Sequence, residues 1–140
     1  MPDNHLEAVL PANWQRARGY SYAMVSQGGR TVRVAGQIAV VKGKGPVDPA
    51  LDFGQQFDRA LGNLVTIVDA AGGIATDIAA LRAYVTDIDA FNAAGAAIGE
   101  AWGRHLGKHF PAMTLVEVSK LLDPNAMVEI EAEAVIPEQH

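Results

Sequence analysis

The chain has 140 residues, no cysteine, 11 basic and 16 acidic side chains, and a formal charge of −5. That length suits one domain, residues 1–140, around one core, and the missing cysteines exclude a disulfide framework, a thiol nucleophile and a thiolate metal site. The acid surplus argues against a broad phosphate-binding surface, so no nucleic-acid partner is expected; with 49% apolar and 19% charged residues, no run approaches the ~20 apolar residues of a membrane span, so no membrane partner is expected either.

Residues 1–18 show no clear period and read as an irregular arm with Trp14 as its anchor on the body. Met1 to His5 lack a basic segment followed by an apolar one, so no secretory signal is read and a cytoplasmic location is expected. Arg16 and Arg18 can touch an anion, against the plainer reading of a solvated edge or a subunit contact. Tyr20–Val25 and Thr31–Ala35 read as two strands joined through Gly28 and Gly29, which supply the positive φ of a tight hairpin turn. Val41 to Pro46 is a Gly- and Lys-rich surface loop without the Gly-Lys-Ser/Thr ending of a phosphate-binding loop.

From Asp52 the period changes. Phe53, Phe57, Leu61, Leu64, Val65 and Val68 fall on one face of an amphipathic helix, which Gly72 and Gly73 end. Ile78–Asp87 reads as a strand, and Asp87 or Asp89 caps a second helix running to about Gly107. That helix carries small residues, Ala93 to Ala97, with Phe91, Ile98 and Trp102 as its larger apolar members; its internal glycines cost helix stability. Pro111 marks the exit, and Met113–Ser119 and Val128–Ile136 are the last strands. The order ββαβαββ defines an α+β fold, a single sheet with two helices on one face.

The last strand is the most informative. Its two-residue period puts Val128, Ile130, Ala132 and Ala134 on one face and Glu129, Glu131 and Glu133 on the other. Same-face neighbours stand about 6.6–7 Å apart, so the carboxylates repel one another, more strongly if covered. With helices over the apolar face, the glutamates look towards water or a partner subunit. Like charges on one semi-enclosed face raise at least one pKa, which suits a group that takes and returns a proton near neutrality.

No other constellation carries chemistry. His105 and His109 are four apart, but the intervening sequence lacks the zinc-protease glutamate, no third ligand is evident and Gly107 interrupts the helix, so no metal site is expected. Ser21, Ser26 and Ser119 have no histidine and acid in a recognisable order.

An ordered set of short matches then points to a family. Gly36-Gln37-Ile38, Ala60 to Leu64, Ala70-Ala71-Gly72, Val85-Thr86-Asp87, Phe110-Pro111-Ala112, Val116-Glu117-Val118 and Val128 to Ala132 resemble the Rid/YjgF family of reactive-intermediate deaminases over roughly residues 20–136. The resemblance implies a chorismate-mutase-like homotrimer, its sheets packed into a barrel with helices outside and clefts between subunits. The acidic face would then look into the inter-subunit space. It further implies a hydrolase, free of metal and organic cofactor, that converts a small-molecule substrate, an enamine or imine, to a carbonyl compound and ammonia.

Residue by residue, the family's catalytic glutamate falls on Glu129, its aromatic cleft residue on Tyr22, and a backbone N–H that holds a substrate oxygen on Leu115. Gly36 and His109 border the expected cleft. Two positions depart from the deaminase pattern: Met113 replaces the carboxylate-clamping arginine, and Ala35 replaces a serine. The pocket is therefore more apolar, which suggests a larger conjugated substrate from aromatic-compound catabolism, as for 2-aminomuconate-type deaminases of the same family. Arg33, on the same strand face as Ala35, either restores a charge or neutralises a glutamate. Glu131, Glu133 and Glu117 read as structural, with Arg33 and Arg82 as counter-charges, and Glu129 itself reads either as catalytic or as a salt-bridged interface carboxylate. The competing reading of the whole is a non-catalytic trimer that binds a metabolite or a protein.

Overall fold

The computed structural model describes residues 5–138; residues 1–4 of the expected arm, and the leader reading that rests on them, lie outside the described residues. In chain order the elements are strands β1 (Leu6–Val9), β2 (Ala23–Ser26) and β3 (Arg30–Gln37), helix α1 (Phe53–Ala70), strand β4 (Ile78–Val85), helices α2 (Ile88–Ala93) and α3 (Gly95–His105), and strands β5 (Ala112–Glu117) and β6 (Val128–Ile136). The main sheet has the order β3-β6-β4-β5, with β6 antiparallel to both neighbours and β4 parallel to β5. The fold is α+β, as the patterning predicts.

Helix α1 begins where Asp52 and Gln55 close a reciprocal capping box, with side-chain-to-backbone distances of 2.8 and 2.9 Å. It ends in a Schellman motif: Gly72 N–H donates to the Asp69 carbonyl and Gly73 N–H to that of Val68, with Gly72 at φ 97°. Between these ends Phe57, Leu61, Leu64 and Val68 are fully buried. They meet Val128, Ile130, Ala132 and Ala134, so the apolar side of β6 closes the core and its glutamates point to the other side of the sheet. Burying each such side chain is worth about 1.5–3 kcal/mol.

Two polar side chains of α1 position the loops around the acidic strand. Gln56, 1% exposed, accepts from Met127 N–H at 2.8 Å and donates to the Asn125 carbonyl at 3.1 Å, pinning the entry to β6. Asn63 donates to the Ile38 and Val40 carbonyls at 3.0 and 2.9 Å, holding the exit from β3.

Three local expectations are corrected. The first eighteen residues are not wholly irregular, since β1 pairs antiparallel with β2 from Leu6–Ser26 to Val9–Ala23. Gly28 and Gly29 do turn the chain, at φ 62° and 77°, but β2 bonds to β1 and β3 to β6, so there are two sheets and no β2–β3 hairpin. The turn chemistry was visible, while the competing partner, four residues long, was too short to show a period. The second helix is broken at Ala94 (φ −94°, ψ 16°), just before Gly95, into α2 and α3. Asp87 and Glu117 both accept N–H bonds from the first turn of α2. Among the described residues, no helix is long and apolar enough to cross a membrane.

Candidate functional site

On the outer face of the sheet the register sets Tyr84 opposite Glu129, Arg82 opposite Glu131 and Arg33 opposite Glu133. Two of the three glutamates are engaged there. Glu131 accepts from the Tyr84 hydroxyl and lies 3.4 Å from Arg82 Nε. Glu133 is 3.9 Å from both Arg82 and Arg33. The Tyr84 hydrogen bond, followed by Arg82, holds the Glu131 carboxyl below the usual carboxylate range against the opposing effect of partial burial, and the same bond raises the Tyr84 phenol. For Glu131, then, the direction is the opposite of the rise expected from like charges on this face.

Glu129 differs: among the described residues it has no hydrogen-bond or ion-pair partner. Its carboxylate is seated over Gly36, where a Cβ would come within 2.8 Å of Cδ. Gly36 lies in the irregular stretch of β3 between Val34 and Gln37, beside Ala35, whose carbonyl accepts from the Gln37 side chain at 3.1 Å. The missing Cβ therefore leaves room for an acid group that the surrounding cations do not neutralise.

A cavity of about 730 Å³ opens on the helix side of the same sheet. Its floor and walls are Phe57, Phe91, Trp102, Phe110, Met113 and Leu115, with Trp102 and Phe110 stacked at 6.1 Å. Met113 and Leu115 pair with Leu81 and Ala83 of β4, both core-facing, which turns them towards the helices. Glycines of α3, Gly95, Gly99 and Gly103, and Gly107 just after it, four apart, all line the space, and a Cβ on any of them would meet nothing within 4 Å. Arg18, Gly19, Tyr20, Asn92 and Ile98 complete the lining.

One chain thus separates the predicted site residues. Glu129, Gly36, Arg33 and Ala35 belong to the acidic side, with Arg33 bridging to Glu133 and largely exposed, whereas Met113 and Leu115 belong to the cavity. Tyr22 does not line the cavity itself: its ring packs edge-on against the cavity residue Tyr20 at 5.9 Å and against Trp14 at 5.1 Å, and its hydroxyl donates to the Gln15 carbonyl at 2.7 Å. Trp14 remains 58% exposed, so it anchors Tyr22 rather than the arm to the body. His109 Nε2 lies 2.7 Å from the Ile78 carbonyl, tying the approach to β5 onto β4. His105 is engaged separately, 2.7 Å from Asp58, which Arg104 also approaches at 3.0 Å. Burial pushes the Asp58 carboxyl up, but the Arg104 and His105 hydrogen bonds prevail and hold it below its usual value.

Sequence reasoning missed two features of the cavity. The four-residue glycine spacing was visible but was counted only as a helix cost, and Tyr20, one strand period before Tyr22, was placed in a hairpin.

A four-stranded sheet with helices packed on one side and an acidic strand facing the other is the architecture of a known class of proteins. Residues 12–136 match the family model described as endoribonuclease L-PSP, and the chain belongs to this Rid/YjgF family. It is 35% identical over 105 residues to a 2-iminobutanoate/2-iminopropanoate deaminase of Salmonella typhimurium, covering 71% of this chain and 80% of the relative. A RutC family protein of Pyrococcus horikoshii is 30% identical over 132 residues, covering 90% and 94% respectively. Among solved structures, the Rid family protein YyfB of Yersinia pestis, whose function is described as unknown, superposes with a TM-score of 0.82 at 28% identity, covering 94% of this chain and 99% of that one. The YjgF product of E. coli gives 0.66 at 32% identity, covering 92% and 98%.

Proposed function

We propose that this chain hydrolyses an imine, or its enamine tautomer, to a carbonyl compound and ammonia without a cofactor. The observation that carries the proposal is Glu129, the one glutamate of the β6 acidic face without a partner among the described residues. In the proposed reaction its carboxylate takes a proton from water as the water oxygen bonds to the C=N carbon. That proton is returned to nitrogen to give a carbinolamine, and the carboxylate then takes the carbinolamine hydroxyl proton and delivers it to nitrogen as the C–N bond breaks, leaving C=O and NH3. The deaminase name of the Salmonella relative supports the same reaction class.

Glu129 and the cavity lie on opposite faces of one sheet, so the proposal requires more than one chain. In a homotrimer with inter-subunit clefts, the acidic face of one subunit would meet the cavity side of the next, with Tyr22 bordering the cleft and the Leu115 N–H holding a substrate oxygen. Met113 in place of an arginine, together with the aromatic lining, suits a substrate with a larger apolar body, of the kind produced by cleavage of an aromatic ring. The second reading, a non-catalytic binder of a metabolite or a protein, is favoured by that same methionine and by Ala35, because the site lacks the polar groups that grip a small imino acid.

Ammonia release from freshly generated imines and enamines, small and aromatic-derived, separates the two readings. Catalysis predicts release above the buffer rate from the native chain and a loss of about 100-fold or more in Glu129→Gln with the assembly intact. No release from any substrate would establish the binder instead.

A further inference from the structure

We propose that Arg18 supplies the cavity with the anion-binding group that position 113 lacks, so that the site selects carboxylates carrying a flat apolar body. The inference rests on the reading that this cavity holds the substrate, and it names the substrate's two ends.

Arg18 is the one charged side chain lining the cavity among the described residues, and no hydrogen bond or ion pair within the described chain occupies its guanidinium. It is not carried on a loose arm. Ser21 N–H donates to the Pro111 carbonyl at 3.1 Å, Ser21 Oγ donates to the Phe110 carbonyl at 2.6 Å, and Ser21 forms a parallel bridge with Ala112. These contacts fasten the segment before β2 to the lip of the cavity, and Gly19, at φ 85°, makes the bend that precedes them. Arg18 and Tyr20 therefore border the space on a backbone segment held at its lip.

The chain is acidic overall, so a lone cation at this opening is not the edge of a general basic surface. Arg18 is exposed at the opening, beside the apolar lining, and its guanidinium fork can donate to both oxygens of a carboxylate. The volume, about 730 Å³, falls within the range of about 300–1,000 Å³ typical of small-molecule sites, far more than an imino acid of three or four carbons fills. Beyond the charge, the glycine side of α3 lets a flat ring approach the helix backbone, opposite Phe57, Met113 and Leu115. A carboxylate at Arg18 and a ring along the glycines is the occupant that matches both ends.

Calorimetric titration of the native chain with hydrocinnamate and with its neutral amide tests this without any turnover. The acid should bind about tenfold tighter than the amide or better. Arg18→Gln should remove that preference while leaving amide affinity unchanged, and Arg18→Lys should retain part of it. Arg16→Gln, altering an arginine exposed like Arg18 but not lining the cavity, should change nothing. Equal affinity for acid and amide, acid binding that survives Arg18→Gln, an equal loss in Arg16→Gln, or no binding of either probe would each overturn the proposal. Ammonia release by the native chain alongside any of these results would leave the deaminase reading standing and refute only the role given to Arg18.

Discussion

Gly36→Ala separates the candidate chemistry from the fold. The backbone at Gly36 lies outside the left-handed region, so alanine fits it without strain. The added Cβ would overlap Glu129 Oε2 and sit 2.8 Å from Cδ, where an ordinary carbon–carbon contact is about 3.5–4.0 Å, so the carboxylate must retreat by about 1 Å or more. It is the end of a flexible side chain with no hydrogen bond to lose among the described residues, and stability should stay within about 1 kcal/mol of the native value. A catalytic group displaced by about 1 Å loses on the order of 100-fold in rate. Urea unfolding and ammonia release, measured on the same preparation, read the two quantities. Full activity at native stability would show that the position of Glu129 over Gly36 has no part in turnover.

Replacing Gly99 by Leu should fill the cavity at little cost in stability, since a Cβ there meets open space and glycine is a poor helix former; hydrocinnamate affinity should fall at least about tenfold, and unchanged binding would place the ligand elsewhere. Tyr84→Phe removes the bond that depresses Glu131. A depressed carboxyl contributes stability that is present above its unfolded pKa, about 4.3, and lost as pH falls through the folded value, so the native chain should exceed the variant in Tm at neutral pH and converge with it in acid. A Tm difference independent of pH would contradict that assignment. Gln56→Ala removes a buried side chain, strands the partly buried Met127 N–H and Asn125 carbonyl and should destabilise the chain by about 2–3 kcal/mol in urea unfolding; a cost below about 1 kcal/mol would mean the entry to β6 is held by other contacts.

The parts of the fold that were legible in the sequence are those specified by local chemistry. Asp52, the apolar face from Phe53 to Val68 and the paired glycines after it delimit α1 almost to the residue, and the alternation in β6 correctly divides a buried face from an acidic one. The assignment of Arg33 and Arg82 as counter-charges to Glu131, Glu133 and Glu117 followed from charge alone; the register places them beside the first two, whereas Glu117 accepts from the first turn of α2. Pairings between distant segments were not legible. Whether β2 bonds to β3 or to β1 is a competition between two edges, and Leu6–Val9 is too brief to advertise itself. The cavity was hidden for a related reason: its wall is made of side chains that are absent, and Gly95, Gly99 and Gly103 show as a cost to a helix before they show as space.

The account turns on Glu129 acting on a C=N bond, and the most direct measurement is ammonia release from the imino acid of phenylalanine, generated in place and corrected for its decay in buffer. The native chain should accelerate release, and Glu129→Gln, with the same stability and oligomeric mass, should fall to within a few per cent of that acceleration. Equal acceleration by the two proteins would contradict the role assigned to this carboxylate.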